Sequence, residues 1–401
     1  MNILYVSTLV SPDCINKLLV NGYEPLQSIQ KFNWLLVQGF NANGCKVNTL
    51  SNIPVLVKGG DKLICESKEV ANGISFNYCP KIKTKGLDNV VVFLYSLFKT
   101  IIWIRNNKRK NSVIILDTLK LSISTGSLIA GKIMRVKTVG IVTDIAGIIK
   151  ETNPTIKQKL STYFINLIIE YYDSYILLTE QINEVINRKQ KPYIIMEGLV
   201  DADMSMMTKN IKSDGDNKVR SIMYAGGLYA KYGLRDLIKG FMKLEDPNIE
   251  LHLYGHGDMI DEIKEYTTKD NRVRYFGVVH NDKIVEAELE ATLLVNPRPT
   301  KEEFTKYSFP SKNMEYMVSG TPVLTTVLPG MPLEYHNYVY LFKDESDNGI
   351  YKSLKHLLIE LTDKELNQKS KNAKQFVLEK KNNNYQAKRV LEFIMKNENN
   401  N

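Results

Sequence analysis

The chain has 401 residues, of which 43% are hydrophobic and 24% charged, and a formal net charge of +9. This ordinary composition excludes a disordered or fibrous protein, and the length exceeds what a single core supports, so two domains of about 200 residues are expected. Lysine and arginine outnumber acids 24 to 14 over residues 1–200 but stand 29 to 30 thereafter, so the excess charge belongs to the first half; lacking a nucleic-acid reader motif and interleaved aromatics, that half suits an anionic membrane surface better than nucleic acid.

Asn2 to Val6 forms an apolar strand at once, with no basic leader or cleavage site before it, so a cytoplasmic protein is expected rather than an exported one. Residues 7–25 read as a long loop at the mouth of a sheet, and Leu26 to Phe40 as a helix ending in the Asn43-Gly44 turn before a strand at Lys46 to Leu50. Cys14, Cys45, Cys65 and Cys79 show no Cys-x-x-Cys spacing and read as free buried thiols. The apolar run Val90 to Ile104 leads into Arg105-Asn106-Asn107-Lys108-Arg109-Lys110. Two readings stay open for it: an interfacial helix with Trp103 and the basic cluster at headgroup level, or a helix packed on the sheet. Strands follow at Val113 to Leu116, Thr138 to Val142 and Tyr175 to Leu178. Alternation of strands with helical stretches predicts a parallel sheet, whose ligands gather at strand C-terminal ends, here after Val6, Leu116, Val142 and Leu178. Asp144 directly follows such a strand and is a site candidate, with a helix N-cap as the ordinary alternative.

A hinge is expected near residue 200, followed by a linker-like polar stretch from Thr208 to Asn217. Further strands are read at Ser221 to Ala225, Glu250 to Tyr254, Arg272 to Phe276, Ala291 to Val295 and Val323 to Thr326, and a last helix at Asn382 to Met395. Asp201-Ala202-Asp203 lies at the hinge instead of a strand end, and the five histidines lack metal spacing, so no metal is expected; His256 ends a strand and either faces the expected ligand or is a loop histidine hydrogen-bonded to backbone. Gly255-x-Gly257 lacks the third glycine of a dinucleotide fingerprint, which disfavours a nicotinamide enzyme.

The densest chemistry lies in Ser308-Phe309-Pro310-Ser311-Lys312-Asn313-Met314-Glu315. Pro310 fixes the approach and Ser311 serves as N-cap, so the helix amides and dipole make an anion site, to which Lys312 adds a charge. Glu315, one turn on, can accept from two vicinal hydroxyls, and phosphate plus diol reads as a nucleotide; taken alone, the Ser-x-x-x-Glu pattern is more often an ordinary capped helix with a solvated glutamate. Phe309, Tyr316 and Met317 read as packing before base stacking.

The order Glu315-x-x-x-x-Gly320-Thr321-Pro322-Val323 after Leu293-Leu294-Val295-Asn296-Pro297-Arg298-Pro299, with Met223 to Leu234, His252 to Asp258 and Val273 to Val279 upstream, resembles the donor half of retaining glycosyltransferases of group 1, or family 4. The resemblance implies an α/β fold of two Rossmann-like domains facing each other across a cleft (GT-B): residues 1–200 for the acceptor, 201–380 for the donor, and 381–401 as a helix returning to the first domain with a frayed tail. It further implies donor contacts from Gly226, Gly227, Gly255, Gly277, Val278, Tyr307, Ser308, Phe309, Pro310, Ser311 and Glu315, with Lys231, Lys312 and Asp144 as catalytic groups. The implied reaction is metal-independent and cofactor-free. It moves a sugar from a nucleotide-diphosphate sugar, UDP slightly favoured over GDP, to a glycan or lipid-linked glycan at the inner membrane face in cell-surface polysaccharide synthesis. Two positions depart from the family: Tyr307 stands where a second glutamate is usual, and Gly227 where the phosphate loop usually has arginine, leaving Lys231 and Lys312 as cations. Alternatives are a sugar-nucleotide epimerase of the same architecture and an inactive nucleotide-sugar-binding subunit.

Overall fold

A computed structural model of the protein describes residues 1–23, 27–53, 68–80, 82, 86–107, 111–148, 155–206 and 219–398. Cys65, Lys108 to Lys110 and the stretch from Thr208 to Asn217 lie outside the described residues. The chain divides into two compact units, Met1–Leu199 together with Asn383–Asn401, and Val200–Asn382.

The first unit runs β1 (Asn2–Ser7), α1 (Pro12–Val20), α2 (Gln27–Ala42), β2 (Lys46–Ser51), β3 (Lys68–Ala71), β4 (Ile74–Tyr78), α3 (Leu87–Asn106), β5 (Ser112–Asp117), α4 (Leu121–Met134), β6 (Lys137–Val142), α5 (Ile156–Ile168), β7 (Ser174–Leu177), α6 (Glu180–Ile186) and β8 (Tyr193–Ile195). Its eight strands lie in the order β3-β4-β2-β1-β5-β6-β7-β8, parallel except for the β3–β4 pair. Near-continuous burial of β1 and β5 explains why these strands carry unbroken apolar runs: helices cover both faces. The expected loop over residues 7–25 is corrected: it contains α1, whose N-cap Ser11 accepts from the Cys14 amide at 3.1 Å, with Pro12 in the first helical position. Cys14, Cys45 and Cys79 are buried, and no disulfide joins them to one another.

The second unit runs β9 (Arg220–Gly227), α7 (Leu234–Met242), β10 (Ile249–His256), α8 (Ile260–Lys269), β11 (Val273–Gly277), α9 (Asn281–Glu290), β12 (Leu293–Asn296), α10 (Ser311–Ser319), β13 (Val323–Thr325), β14 (Tyr340–Leu341), α11 (Asp347–Lys355) and α12 (Asp363–Lys380). Its six strands are ordered β11-β10-β9-β12-β13-β14, all parallel. The chain winds outward one way from β9 to β11 and the other way from β12 to β14, so β9 and β12 flank a topological switch point, where parallel sheets open a ligand crevice.

The last helix, α13 (Asn383–Glu398), belongs to the first unit. It packs on α2, where a side chain at Gly39 would collide with the Asn383 carbonyl and Ala387. Asn383 Nδ2 donates to the Leu35 carbonyl at 3.3 Å and Gln386 Nε2 to the Gly198 carbonyl at 3.0 Å. Two buried amides thus fix the helix in place.

Candidate nucleotide site of the second unit

At the C-terminal ends of β9, β10 and β12 the second unit brings together most of the residues singled out in its sequence. Strand β9 ends in Gly226-Gly227, and β10 ends beside it with Gly255 opposite Gly226. Gly255 has φ +128°, and a Cβ there would run into the Gly226 carbonyl, so the two backbones meet in a way only glycine permits. Helix α10 is anchored to the same strand end. Tyr316 is buried and its hydroxyl accepts from the Ala225 amide at 3.0 Å, while the Lys312 ammonium donates to the Ala225 carbonyl. Below them Asn296 Nδ2 donates to Asn313 Oδ1 at 2.8 Å and Asn313 Nδ2 to Thr325 Oγ1 at 3.2 Å, tying the helix to β12 and β13 through buried, satisfied amides.

The start of α10 corrects one detail. Pro310 is the N-cap, without a side-chain cap, and Ser311 is the first helical residue and exposed, so its hydroxyl does not close the helix end. The Asn313 amide is taken by the Pro310 carbonyl at 3.0 Å, and Glu315, half-buried, sits four residues after Ser311 on the same helix. In the approach loop Tyr307 is half-buried and the Ser308 hydroxyl donates to the Phe304 carbonyl at 3.1 Å. Phe309 departs from its place among the donor contacts: it is buried, 4.8 Å from the Tyr335 ring, because the apolar core beneath α10 takes it. Gly277 ends β11 and Val278 follows it, well exposed. His256 ends β10 with its side chain exposed, and its carbonyl accepts from the Leu228 amide at 2.8 Å.

Lys231 lies in a short helical turn over Ala230–Tyr232, with Nζ 5.5 Å from the Tyr232 ring and 5.6 Å from the Phe304 ring. The same two rings hold a second cation. The Arg298 guanidinium is 4.7 Å from Tyr232 and 5.5 Å from Phe304. Its Nε is buried without a hydrogen-bond partner, and burial pushes the guanidinium below its usual range. Among the described residues neither cation has a carboxylate in ion-pair range. Lys231 is exposed and the Arg298 Nε buried, and the two positive groups on one aromatic wall at the mouth of a strand would attract an anion from outside. Sequence reading missed Arg298 as a site residue; the signal was its place immediately after the β12 strand, beside the switch point.

Asp144 belongs to the first unit, just past β6. It caps no helix: its carboxylate accepts the Ile145 amide at 2.8 Å, and burial raises it above the usual carboxylate range despite that bond. Asp201 accepts the Asp203 amide at 3.0 Å, so this carboxylate closes its own short helical turn.

Fold and site together define a two-domain parallel α/β protein with a candidate nucleotide-type anion site in its second unit. Residues 219–360, which span most of that unit, match the family model of glycosyl transferases group 1. No curated protein sequence matches the chain. In fold the chain is similar to sucrose-phosphate synthase from Thermosynechococcus elongatus (13% identity, TM-score 0.65, covering 99% of each chain). Similar too are Anabaena HepE in complex with UDP (13%, 0.63, 99% of this chain and 100% of that one) and a glycosyltransferase from Rickettsia africae (14%, 0.64, 100% and 99%). These are likenesses of the GT-B architecture, two parallel-sheet α/β domains.

Proposed function

We propose that the protein is a retaining, metal-independent glycosyltransferase that moves a sugar from a nucleotide-diphosphate sugar to a hydroxyl of a glycan or lipid-linked glycan. The observation that carries this reading is the cationic wall of Lys231 and Arg298 at the β9/β12 switch point, with Lys312 of α10 held at the end of β9. A departing nucleoside diphosphate gains negative charge as the bond to the sugar breaks, and preorganised cations and helix amides stabilise that charge without a metal. Arg298 supplies the guanidinium that Gly227 does not. Glu315 holds the ribose hydroxyls, and the exposed Gly277-Val278 turn approaches the base through its backbone. HepE, similar in fold, has been solved with UDP and with UDP-glucose, which favours a uridine donor here. In this reading the first unit takes the acceptor, with Asp144 as its carboxyl, and the enzyme works at the cytoplasmic membrane face.

The test is incubation of the full chain with a panel of UDP- and GDP-sugars, with and without lipid-linked glycan acceptors, followed by mass spectrometry. Transfer or slow donor hydrolysis with one nucleotide class is expected. Isomerised donor would instead identify an epimerase, and binding without any turnover a non-catalytic subunit.

A further inference from the structure

The helix α3 is amphipathic in the wrong sense for a helix facing water. Its buried positions, Val92, Ser96, Thr100 and Ile104, include two hydroxyls, and they recur every four residues against α4. There Thr100 Oγ1 donates to Ser127 Oγ at 3.0 Å, and Gly126 leaves no room for a side chain against Ser96 and the Phe93 carbonyl. The opposite stripe, Leu87, Val90, Leu94, Phe98 and Ile102, is wholly apolar and exposed, Phe98 to 60%. Among the described residues this is the one helix long and apolar enough to cross a membrane by length and composition. Its close seat on α4, and the Trp103 indole nitrogen donating to Asn48 of β2 at 2.8 Å, make it a fixed part of the sheet's covering layer instead of a spanning segment. Trp103 is therefore turned toward the sheet and not toward headgroups.

The apolar surface does not stop at α3. A groove of about 290 Å³ opens where Val90 and Phe93 of α3, Leu121 and Thr125 of α4, and Phe164 and Ile168 of α5 converge. From Thr125 the helical repeat leads to Ile129 and Ile133, the latter 64% exposed, and on α5 Leu160 and Leu167 flank Phe164, all exposed. Three helices thus present one continuous apolar face far larger than scattered surface residues require. Among the described side chains of these helices the charge is one-sided: Lys99, Arg105, Lys132 and Lys159 against a single acid, Asp88. Lys132 is committed to Asp173 at 2.6 Å, and Lys99 and Arg105 are exposed on α3 itself.

We propose that the outer face of α3, α4 and α5 docks on an anionic lipid bilayer, with the apolar stripes sunk among the acyl chains, the groove seating one lipid chain and the basic residues at headgroup level. An apolar face on helices that also expose Lys99, Arg105 and Lys159 matches a phospholipid surface of negative charge, which attracts each basic residue by about fivefold in partition. The surface belongs to the first unit and the donor site to the second, so its test does not depend on the sugar chemistry.

The full chain is mixed with vesicles of phosphatidylcholine alone or doped with phosphatidylglycerol, and co-sedimentation is measured at low and moderate salt. Wild type is expected to partition onto the anionic vesicles and to be released by salt. The triple variant Leu94→Gln, Phe98→Gln, Phe164→Gln should lose at least tenfold, and Lys99→Gln with Arg105→Gln about tenfold or more. Unchanged UDP affinity and melting temperature identify a folded variant. Independently of any folding defect, Phe98→Trp keeps the face apolar, and its emission should be quenched by brominated acyl chains in the anionic vesicles. No partitioning of wild type, equal partitioning of wild type and triple variant, or no quenching of the Phe98→Trp signal overturns the proposal. So does lipid-free self-association that the triple variant abolishes, which would make a second copy the occupant.

Discussion

Replacing Arg298 by methionine separates a ligand-binding cation from a structural one, because the two roles predict opposite signs. In the unliganded protein the guanidinium gains cation–π attraction from Tyr232 at 4.7 Å and Phe304 at 5.5 Å, about 0.5–2 kcal/mol together. Against this stands the cost of a buried, unpaired Nε, about 1–3 kcal/mol. Methionine keeps an unbranched apolar stem against both rings, so the two terms cancel or favour the variant, and the melting temperature should hold or rise. Nucleotide binding moves the other way. A charge-assisted hydrogen bond to phosphate contributes about 1.5–3 kcal/mol, so UDP affinity should fall by roughly 10- to 150-fold. Lysine at the same position restores charge but not the planar fork and should fall between. Isothermal calorimetry with UDP, paired with thermal unfolding of the same samples, reads both quantities. A variant that melts lower while binding UDP as tightly as wild type would refute the reasoning and make Arg298 a packing residue.

Glu315→Ala should weaken UDP or GDP at least tenfold, since it removes the acceptor for two ribose hydroxyls, whereas uridine lacking those hydroxyls should bind wild type and variant alike; calorimetry distinguishes the two. Gly255→Ala places a Cβ against the Gly226 carbonyl at φ +128°, which should cost about 1–3 kcal/mol, lower the melting temperature by several degrees and weaken nucleotide binding. Burial acts to raise the Asp173 carboxyl, but Lys132 and the Thr138 amide and hydroxyl outweigh it and hold it below the usual range. Its stabilising effect is therefore present above about pH 4 and lost as pH falls through the lower folded value. Asp173 is partly exposed and the effect should stay under about 1 kcal/mol, so Asp173→Asn should lower stability at neutral pH and approach wild type in unfolding scans as pH falls through the lowered folded value. Excess EDTA should leave sugar transfer unchanged; loss restored by Mg²⁺ or Mn²⁺ would return Asp201 and Asp203 to consideration as ligands.

What was legible in the sequence was mostly written in local chemistry. Buried parallel strands carry unbroken apolar runs, so β1, β5, β9 and β12 could be read directly. The Pro310 approach and the Gly320 stop frame α10 because proline and glycine impose backbone geometry wherever they stand. Edge strands were less readable: β3 is Lys68-Glu69-Val70-Ala71, with too little apolar patterning to declare itself. Helix α1 escaped although Ser11-Pro12 is a start signal, because nine residues hold little more than two helical turns. The place of Arg298 just after β12 was a signal, but its aromatic environment was not legible, since that comes from Tyr232, distant in the chain, and from Phe304 across a loop. For α3 hydropathy showed an apolar helix but not which face is buried. The hydroxyls of Ser96 and Thr100 pointing inward could be recognised only once Ser127 and Gly126 lay opposite.

The central claim, that a nucleoside diphosphate sits at the β9/β12 switch point, is tested most directly by photolabelling the full chain with azido-uridine diphosphate and mapping the modified peptides by mass spectrometry. Labelling that UDP competes away and that falls within residues 225–232, 254–258, 275–279 or 298–316 is the predicted result. Competable labelling confined to residues 1–199, or none that UDP can displace, would contradict it.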